Sequence, residues 1–455
     1  MAAFNRREFL KKSGAGAATA AAFAACPGTA FSQVIGTSAP FPDYKALVCV
    51  FLLGGNDSYN MLVPRSNAGY NVYAASRQNM ALAQTDLLPI NPITPDGSAY
   101  GLHPMMTDVQ TLFESNRAAF ITNVGPLVEP TSKDQYRNKS VLLPPQLFSH
   151  NDQQDQWSSL RGVKQSKTGW AGRLADLIRT NVTDQQMATN VSLFGSTLFQ
   201  AADETIAYVM GNDGPIAFTG FDDSAAGQAQ RAAFERVLNA NYGSIYERAF
   251  ADVQKRAVAA ADLIGNALDD PNAPILNTVF PNTQLGRQLN TVARLISVRD
   301  TLQMQRQVFL VAAGGFDSHD DQLLNQPDLL GGVSEAMAAF YNATVELSVS
   351  NMVTSFTQSD FARTLTSNGD GTDHAWGGNQ LVIGDAVAGR ELYGTYPGLA
   401  LDGPDDVSGG RIIPTTSADQ YAATLSKWFG IPDADLATVA PNIDNFAQRD
   451  LGFLL

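Results

Sequence analysis

The sequence predicts an α/β fold: a three-layer sandwich on a mostly parallel central sheet. Three observations carry this. Five apolar runs read as strands, ALVCVFLL at 46–53, AAFITNV at 118–124, QVFLVAA at 307–313, NMVTSFT at 351–357 and QLVIG at 380–384. Near-continuous runs of this kind suit strands covered on both faces, as in parallel sheets. Helical patterns alternate with them, and alternation is the signature of layered α/β domains. Polar knots rich in Asp and His follow several of the runs, at the carboxyl ends of strands where open α/β sheets form their sites.

Taken in order, the chain opens on a targeting segment. Residues 1–30 contain Arg6-Arg7-Glu8-Phe9-Leu10-Lys11, the twin-arginine export pattern, then an Ala-rich stretch from Ala15 to Ala25 and small residues at Gly28-Thr29-Ala30. The Ala-rich stretch is too short and too weakly apolar to span a bilayer. The expectation is a signal peptide over 1–30, read by the twin-arginine translocation machinery, and a periplasmic or extracellular body with no stable membrane span. Cys26 offers a lipid-attachment alternative; Cys49, inside an apolar run, reads as a small core residue and leaves no internal disulfide to form.

The body, 40–455, reads as a single domain, because no Pro/Gly/Ser-rich linker or internal repeat divides it. After the first strand, helices are expected at 104–115 and 169–180. A long Ala-rich stretch at 227–268 and a further pattern at 282–301 form a helical insertion around 225–301. Helices follow at 320–348 and at 417–430, the last opening on a Ser cap and closing at a Gly. The polar, turn-rich segments 90–101 and 365–376 are expected to be loops.

The formal net charge of −14, with 44 acidic against 30 basic residues, argues against non-specific binding to nucleic acid or anionic membrane. An anionic substrate would therefore need a local positive centre. Four histidines are present, in GLHP, FSHNDQQDQ, GGFDSHDDQ and GTDHAWGGN, so that His103, His150, His319 and His374 each sit in a polar knot. Imidazole and carboxylate together suit zinc, manganese or magnesium-like cations. The predicted strands would deliver Asp57, then Asp317 and His319, then Asp360, Arg363, Asp373 and His374 to one sheet edge. The bland alternative makes each Asp a turn or cap residue and each His a satisfied core group.

These motifs together resemble the bacterial domain-of-unknown-function 1501 family. The resemblance runs through GGNDSYNMLVP (54–64), GLHPMM (101–106), FSHNDQQD (148–155), GWAGR (169–173), GGFDSH (314–319), SDFART (359–364), DHAWGGNQLVIG (373–384) and YAATLSKWFGI (421–431). It implies twin-arginine export and an alkaline phosphatase-like or sulfatase-like fold. It also implies hydrolysis of phosphate or sulfate esters, an anionic ester substrate, and divalent metal ions such as zinc, manganese, magnesium or calcium, two of them in the working superfamily enzymes. By the family's order, Asp57, Asp317, His319, Asp373 and His374 are the implied metal ligands. Ser149 is the implied nucleophile, His150 beside it a ligand or acid, and Arg363 a grip on the substrate oxyanion or a partner to a carboxylate. The chain departs from the family in reading SDFART where Ser-Glu-Phe-Gly-Arg-Thr is frequent, in Trp376 where some members carry a second His, and in having no His after His374. Two rivals stand beside this. A serine esterase would use Gly-x-Asn-Asp at 54–57 but also a Gly-Asp-Ser-Leu motif, which is absent upstream. A non-catalytic exported protein would keep the fold with a structural or vestigial metal site.

Overall fold

A computed structural model describes residues 39–163, 165–216, 221 and 224–455. The expected signal peptide, with Cys26, lies outside the described residues. Pro40–Leu455 forms one compact unit.

The central sheet is mixed and mostly parallel. Its strands, in chain order, are β1 (Lys45–Leu52), β2 (Ala118–Gly125), β3 (Asn190–Ser192), β4 (Tyr208–Val209), β5 (Arg306–Ala313) and β6 (Val353–Ser359). After β6 come β7 (Arg363–Ser367) and β8 (Thr372–His374), which form a hairpin off the sheet. The sheet resumes with β9 (Gly378–Ile383), β10 (Leu392–Tyr393) and β11 (Thr416–Ser417). The order across the sheet is β10-β2-β9-β6-β1-β5-β3-β4, with β11 also on β2. β1 pairs in parallel with β5 and β6, and β9 alone runs antiparallel, to β2 and β6.

Side chains of β1 alternate between two cores. Ala46, Val48, Val50 and Leu52 join one apolar cluster, and Leu47, Cys49 and Phe51 join the other. The first cluster is closed by α1 (Thr107–Glu114) and by two helices introduced below, and the second by α2 (His150–Ser159), α3 (Trp170–Ile178) and a C-terminal helix. Strands buried on both faces need helices on both sides, so the near-continuous apolar runs are explained by this layering.

The expected helices at 282–301 and 320–348 are α6 (Gln284–Ser297) and α7 (Gln322–Glu346), and that at 417–430 is α8 (Ala418–Phe429) with a capping box between Ser417 and Gln420. The Ala-rich stretch expected at 227–268 is two helices, α4 (Ala225–Leu238) and α5 (Ile245–Leu268). The break falls at Asn239–Ser244, where Ser244 starts a new capping box with Glu247; a second cap gives the backbone N–H groups a partner that an uninterrupted helix would not need. The segment expected as a loop at 365–376 is largely the β7–β8 hairpin, with Arg363 opposite His374. Its Ser/Thr-rich strands carry no apolar alternation, so pattern alone did not mark it. Among the described residues no helix is long and apolar enough to cross a membrane.

Candidate metal centre

The site is built where β1, β5 and β6 end side by side. β1 stops at Gly54 and Gly55, both in the left-handed region with φ of 112° and 89°. A Cβ on Gly54 would stand 2.3 Å from the backbone nitrogen of Asp317, and one on Gly55 would stand 2.3 Å from the Phe361 ring. Only glycine lets the three strand ends approach this closely. The turn is stitched by Phe316 N–H to Leu53 O at 3.1 Å, by Asn56 N–H to Ser359 Oγ at 2.8 Å and by Gly54 N–H to Asp360 Oδ1 at 3.3 Å.

Three segments then place ligand-type atoms against one another. Asp317 Oδ1 lies 3.1 Å from His319 Nε2, 3.5 Å from His150 Nε2 and 3.7 Å from His374 Nε2. The ligand atoms of His150, Asp317 and His374 all lie within 4.8 Å of one another. His319 Nε2 is 2.9 Å from His374 Nε2.

Each of the three imidazoles has its other nitrogen held. His374 Nδ1 is 2.7 Å from Phe148 O, His150 Nδ1 is 2.7 Å from the buried Asp360 Oδ2, and His319 Nδ1 is 3.3 Å from Asp373 Oδ1. A carbonyl only accepts, so His374 carries its proton on Nδ1, and its neutral ring turns a lone pair outward from Nε2. Burial lowers the His374 pKa against the opposing Phe148 bond, and the neighbouring His150, Arg363 and His319 lower it further. The His150 ring has a carboxylate at Nδ1, which favours the same tautomer, whereas His319 has a carboxylate near each nitrogen. The Nε2 lone pairs of His150 and His374 therefore converge with the Asp317 carboxylate oxygen. Phe361 stacks on the His374 ring at 4.6 Å between centroids and lies 4.8 Å from His150.

Charge points the same way. Asp317, Asp360 and Asp373 surround the cluster, and Arg363 is the arginine that enters it, 2.7 Å from Asp317 Oδ1. The Asp317 carboxyl is held below its ordinary pKa: burial would raise it, and the Arg363 hydrogen bond and charge, with His150 and His319, outweigh that. This donor set fits a divalent ion of the zinc or manganese kind. Two imidazoles and one carboxylate are a common three-ligand set that leaves further coordination for solvent or substrate, and ligand histidines whose far nitrogen is fixed by a carboxylate or carbonyl are the usual supporting arrangement.

The residues expected from sequence are divided by this geometry. Asp317 and His374 lie in the three-ligand group, and His319 adjoins it. His150, expected as a ligand or acid, is in the group as well. Asp373 supports His319 from behind, and Asn368 Nδ2 donates to it at 3.2 Å. Asp57 is not in the group. Its buried carboxylate is held at Oδ2 by the equally buried Arg77 and by Gln322, with Oδ1 buried and unpartnered, and its carbonyl accepts from Gln326 at 2.9 Å. Sequence offered no signal for Arg77, which arrives from a separate helix (Asn67–Arg77). Among the described residues the ligand-type side chains gather in one cluster around Asp317.

Arg363 is not available to grip a substrate. It is fully buried, and its guanidinium donates to Gly54 O at 3.0 Å, to Asp317, to Thr372 Oγ1 at 3.4 Å and to Thr372 O. Its role is to position Asp317. Ser149 precedes α2 without capping it; its hydroxyl donates to Asp152 Oδ2 at 2.8 Å. Ser58 is buried, and its Oγ accepts from Asn379 N–H at 2.8 Å, a structural role. His103 is a core group whose Nδ1 accepts from Met105 N–H at 3.2 Å.

The family model described as protein of unknown function DUF1501 matches residues 44–431. No curated protein matches. Among solved structures, one described as Ps i-CgsB in complex with k-i-k-neocarrahexaose aligns at a TM-score of 0.35 and 10% identity, over 89% of this chain and 77% of that one. Another, from Bacteroides thetaiotaomicron and described by the metabolism of multiple glycosaminoglycans, aligns at a TM-score of 0.34 and 9% identity, over 86% of this chain and 74% of that one.

Proposed function

Starting from a chain that belongs to the DUF1501 family, of unknown function, we propose an exported hydrolase of phosphate or sulfate esters that takes one divalent cation at His150, Asp317 and His374, on an alkaline phosphatase-like variant of the α/β sandwich. The observation that carries this is the convergence of Nε2 lone pairs and a carboxylate oxygen, with every imidazole Nδ1 held from behind. A bound cation would polarise the ester's anionic group and neutralise charge developing on it.

The chain's own residues do the rest. Arg363 fixes Asp317, Asp360 and the Phe148 carbonyl fix two imidazole rings, and Phe361 packs against both. Ser149 is the nucleophile in this proposal. It stands next to His150, and Asp152 accepts its hydroxyl hydrogen bond and is placed to take the proton. The backbone N–H groups at the start of α2 favour negative charge there. The twin-arginine pattern at Arg6-Arg7 supports a location outside the cytoplasm for this chemistry.

A panel of aryl phosphates and sulfates, with and without added zinc, manganese, magnesium and calcium, tests the activity. Metal-dependent turnover that falls at least ~100-fold in both Ser149→Ala and His374→Ala is the expected result. Turnover that survives His374→Ala overturns the metal-dependent mechanism, and turnover that survives Ser149→Ala alone removes the serine from it. A folded protein inert toward the whole panel favours the non-catalytic alternative.

A further inference from the structure

A cavity of about 290 Å³ opens beside the metal centre, between α2 and residues 194–199. Its wall is continuous with the site. His150, Gln154 and Ser158 stand at i, i+4 and i+8 of α2, one face of the helix, and the last two line the cavity. At a rise of about 1.5 Å per residue, Gln154 and Ser158 lie roughly 6 and 12 Å along the helix from His150. Gln154 also touches the site itself: its Nε2 donates to Asp360 Oδ2 at 3.0 Å, the oxygen that holds His150. Leu53, another lining residue, precedes the Gly54 turn that packs on Asp317.

The lining has a definite chemistry. Phe51, Phe194 and Phe199 supply aromatic surface, and Phe194 is 38% exposed, a large ring left in solvent at the cavity wall. Around them stand Asp155, Ser158, Ser196 and Thr197. No lysine, arginine or histidine lines the space, so it does not suit an anion.

We infer that this cavity binds a neutral, polyhydroxylated ring of hexose size, lying against Phe194 and held by the Asp155, Ser158, Ser196 and Thr197 side chains. Flat apolar ring faces seat on aromatics, and hydroxyls meet both donors and acceptors at the rim. The inference rests on the ester-hydrolase function for its meaning: the ring would be the alcohol part of the ester whose anionic group lies at His150, Asp317 and His374.

The test uses the full chain and a neutral methyl hexopyranoside as probe, followed by calorimetry and saturation-transfer NMR, with metal content measured on the same samples. Saturable binding that persists after chelation is expected. Phe194→Ala removes the exposed platform and Ser196→Trp fills the cavity; each weakens binding at least ~10-fold with metal content unchanged. Both positions are exposed, so neither change should unfold the chain. Absence of saturable glycoside binding in a metal-loaded protein overturns the cavity's role and leaves the metal centre standing. Glycoside binding by a protein that takes no metal sustains the cavity and overturns the hydrolase. Equal binding by both variants, or displacement by phenol at the glycoside's own affinity, overturns the assignment.

Discussion

At the scale of single residues, Asp57 is placed apart from the other expected ligands. It follows the first strand, as an early ligand would, yet its carboxylate is wholly buried, with Oδ2 held by Arg77 and Gln322. Breaking a buried ion pair strands the other charge, at about 3–5 kcal/mol. Asp57→Asn should therefore lower unfolding free energy by roughly that amount in urea titrations while leaving the folded protein's metal content unchanged. Loss of metal with little loss of stability would return Asp57 to the ligand set. The residues that do converge were partly legible in sequence, because Asp317, His319, Asp373 and His374 sit in knots just after predicted strands. What could not be read was the partner of each imidazole. Phe148 acts through its backbone carbonyl, and Asp360, just after a strand, holds a histidine that opens a helix 210 residues earlier, and neither relation leaves a spacing in one sequence.

At the scale of elements, strands were legible where burial on both faces forced long apolar runs, and illegible where hydrogen bonding set the structure instead. The β7–β8 hairpin is the instructive case. Arg363 faces His374 across it, so a segment that reads as polar loop from 365 onward brings His374 to the cluster, opposite the residue that positions Asp317. The turn after β1 is its counterpart, because its glycines admit Asp317 and Phe361 rather than merely ending a strand. Gly54→Ala is expected to cost at least ~2 kcal/mol from positive φ and the clash with the Asp317 backbone, and to weaken metal binding because Asp317 must move. Thermal unfolding and metal titration of this variant check both; unchanged values in the two would show that the close approach is unimportant.

At the scale of the whole molecule, two buried groups outside the His–Asp cluster act oppositely on pH-dependent stability. Burial lowers the His103 pKa from 6.5 to about 4, against the raising effect of Asp57. The folded state holds this ring neutral, so its contribution is present above pH 6.5 and is lost as pH falls toward 4. Burial pushes the Asp419 carboxyl up from 3.8 to about 7, against the Asn442 hydrogen bonds and Arg173. The folded state keeps that proton, so its contribution is present below pH 3.8 and is lost as pH rises toward 7. Relative to the wild type, His103→Gln should lose the acid-side decline, and Asp419→Asn should lose the decline toward neutrality, each by on the order of 3–4 kcal/mol across its window. Urea titrations at half-unit pH steps read both, and parallel curves for the three proteins would contradict the assignments.

The fold, the support behind each imidazole and the excess of carboxylates converge on one cation, and metal content tests that most directly. Elemental analysis of the folded, purified chain after exposure to zinc and manganese should find one tightly held divalent ion per molecule, lost in His150→Ala and in His374→Ala and kept in Asp57→Asn. A folded wild type that holds no ion, or one whose ion survives both histidine substitutions, would contradict the account.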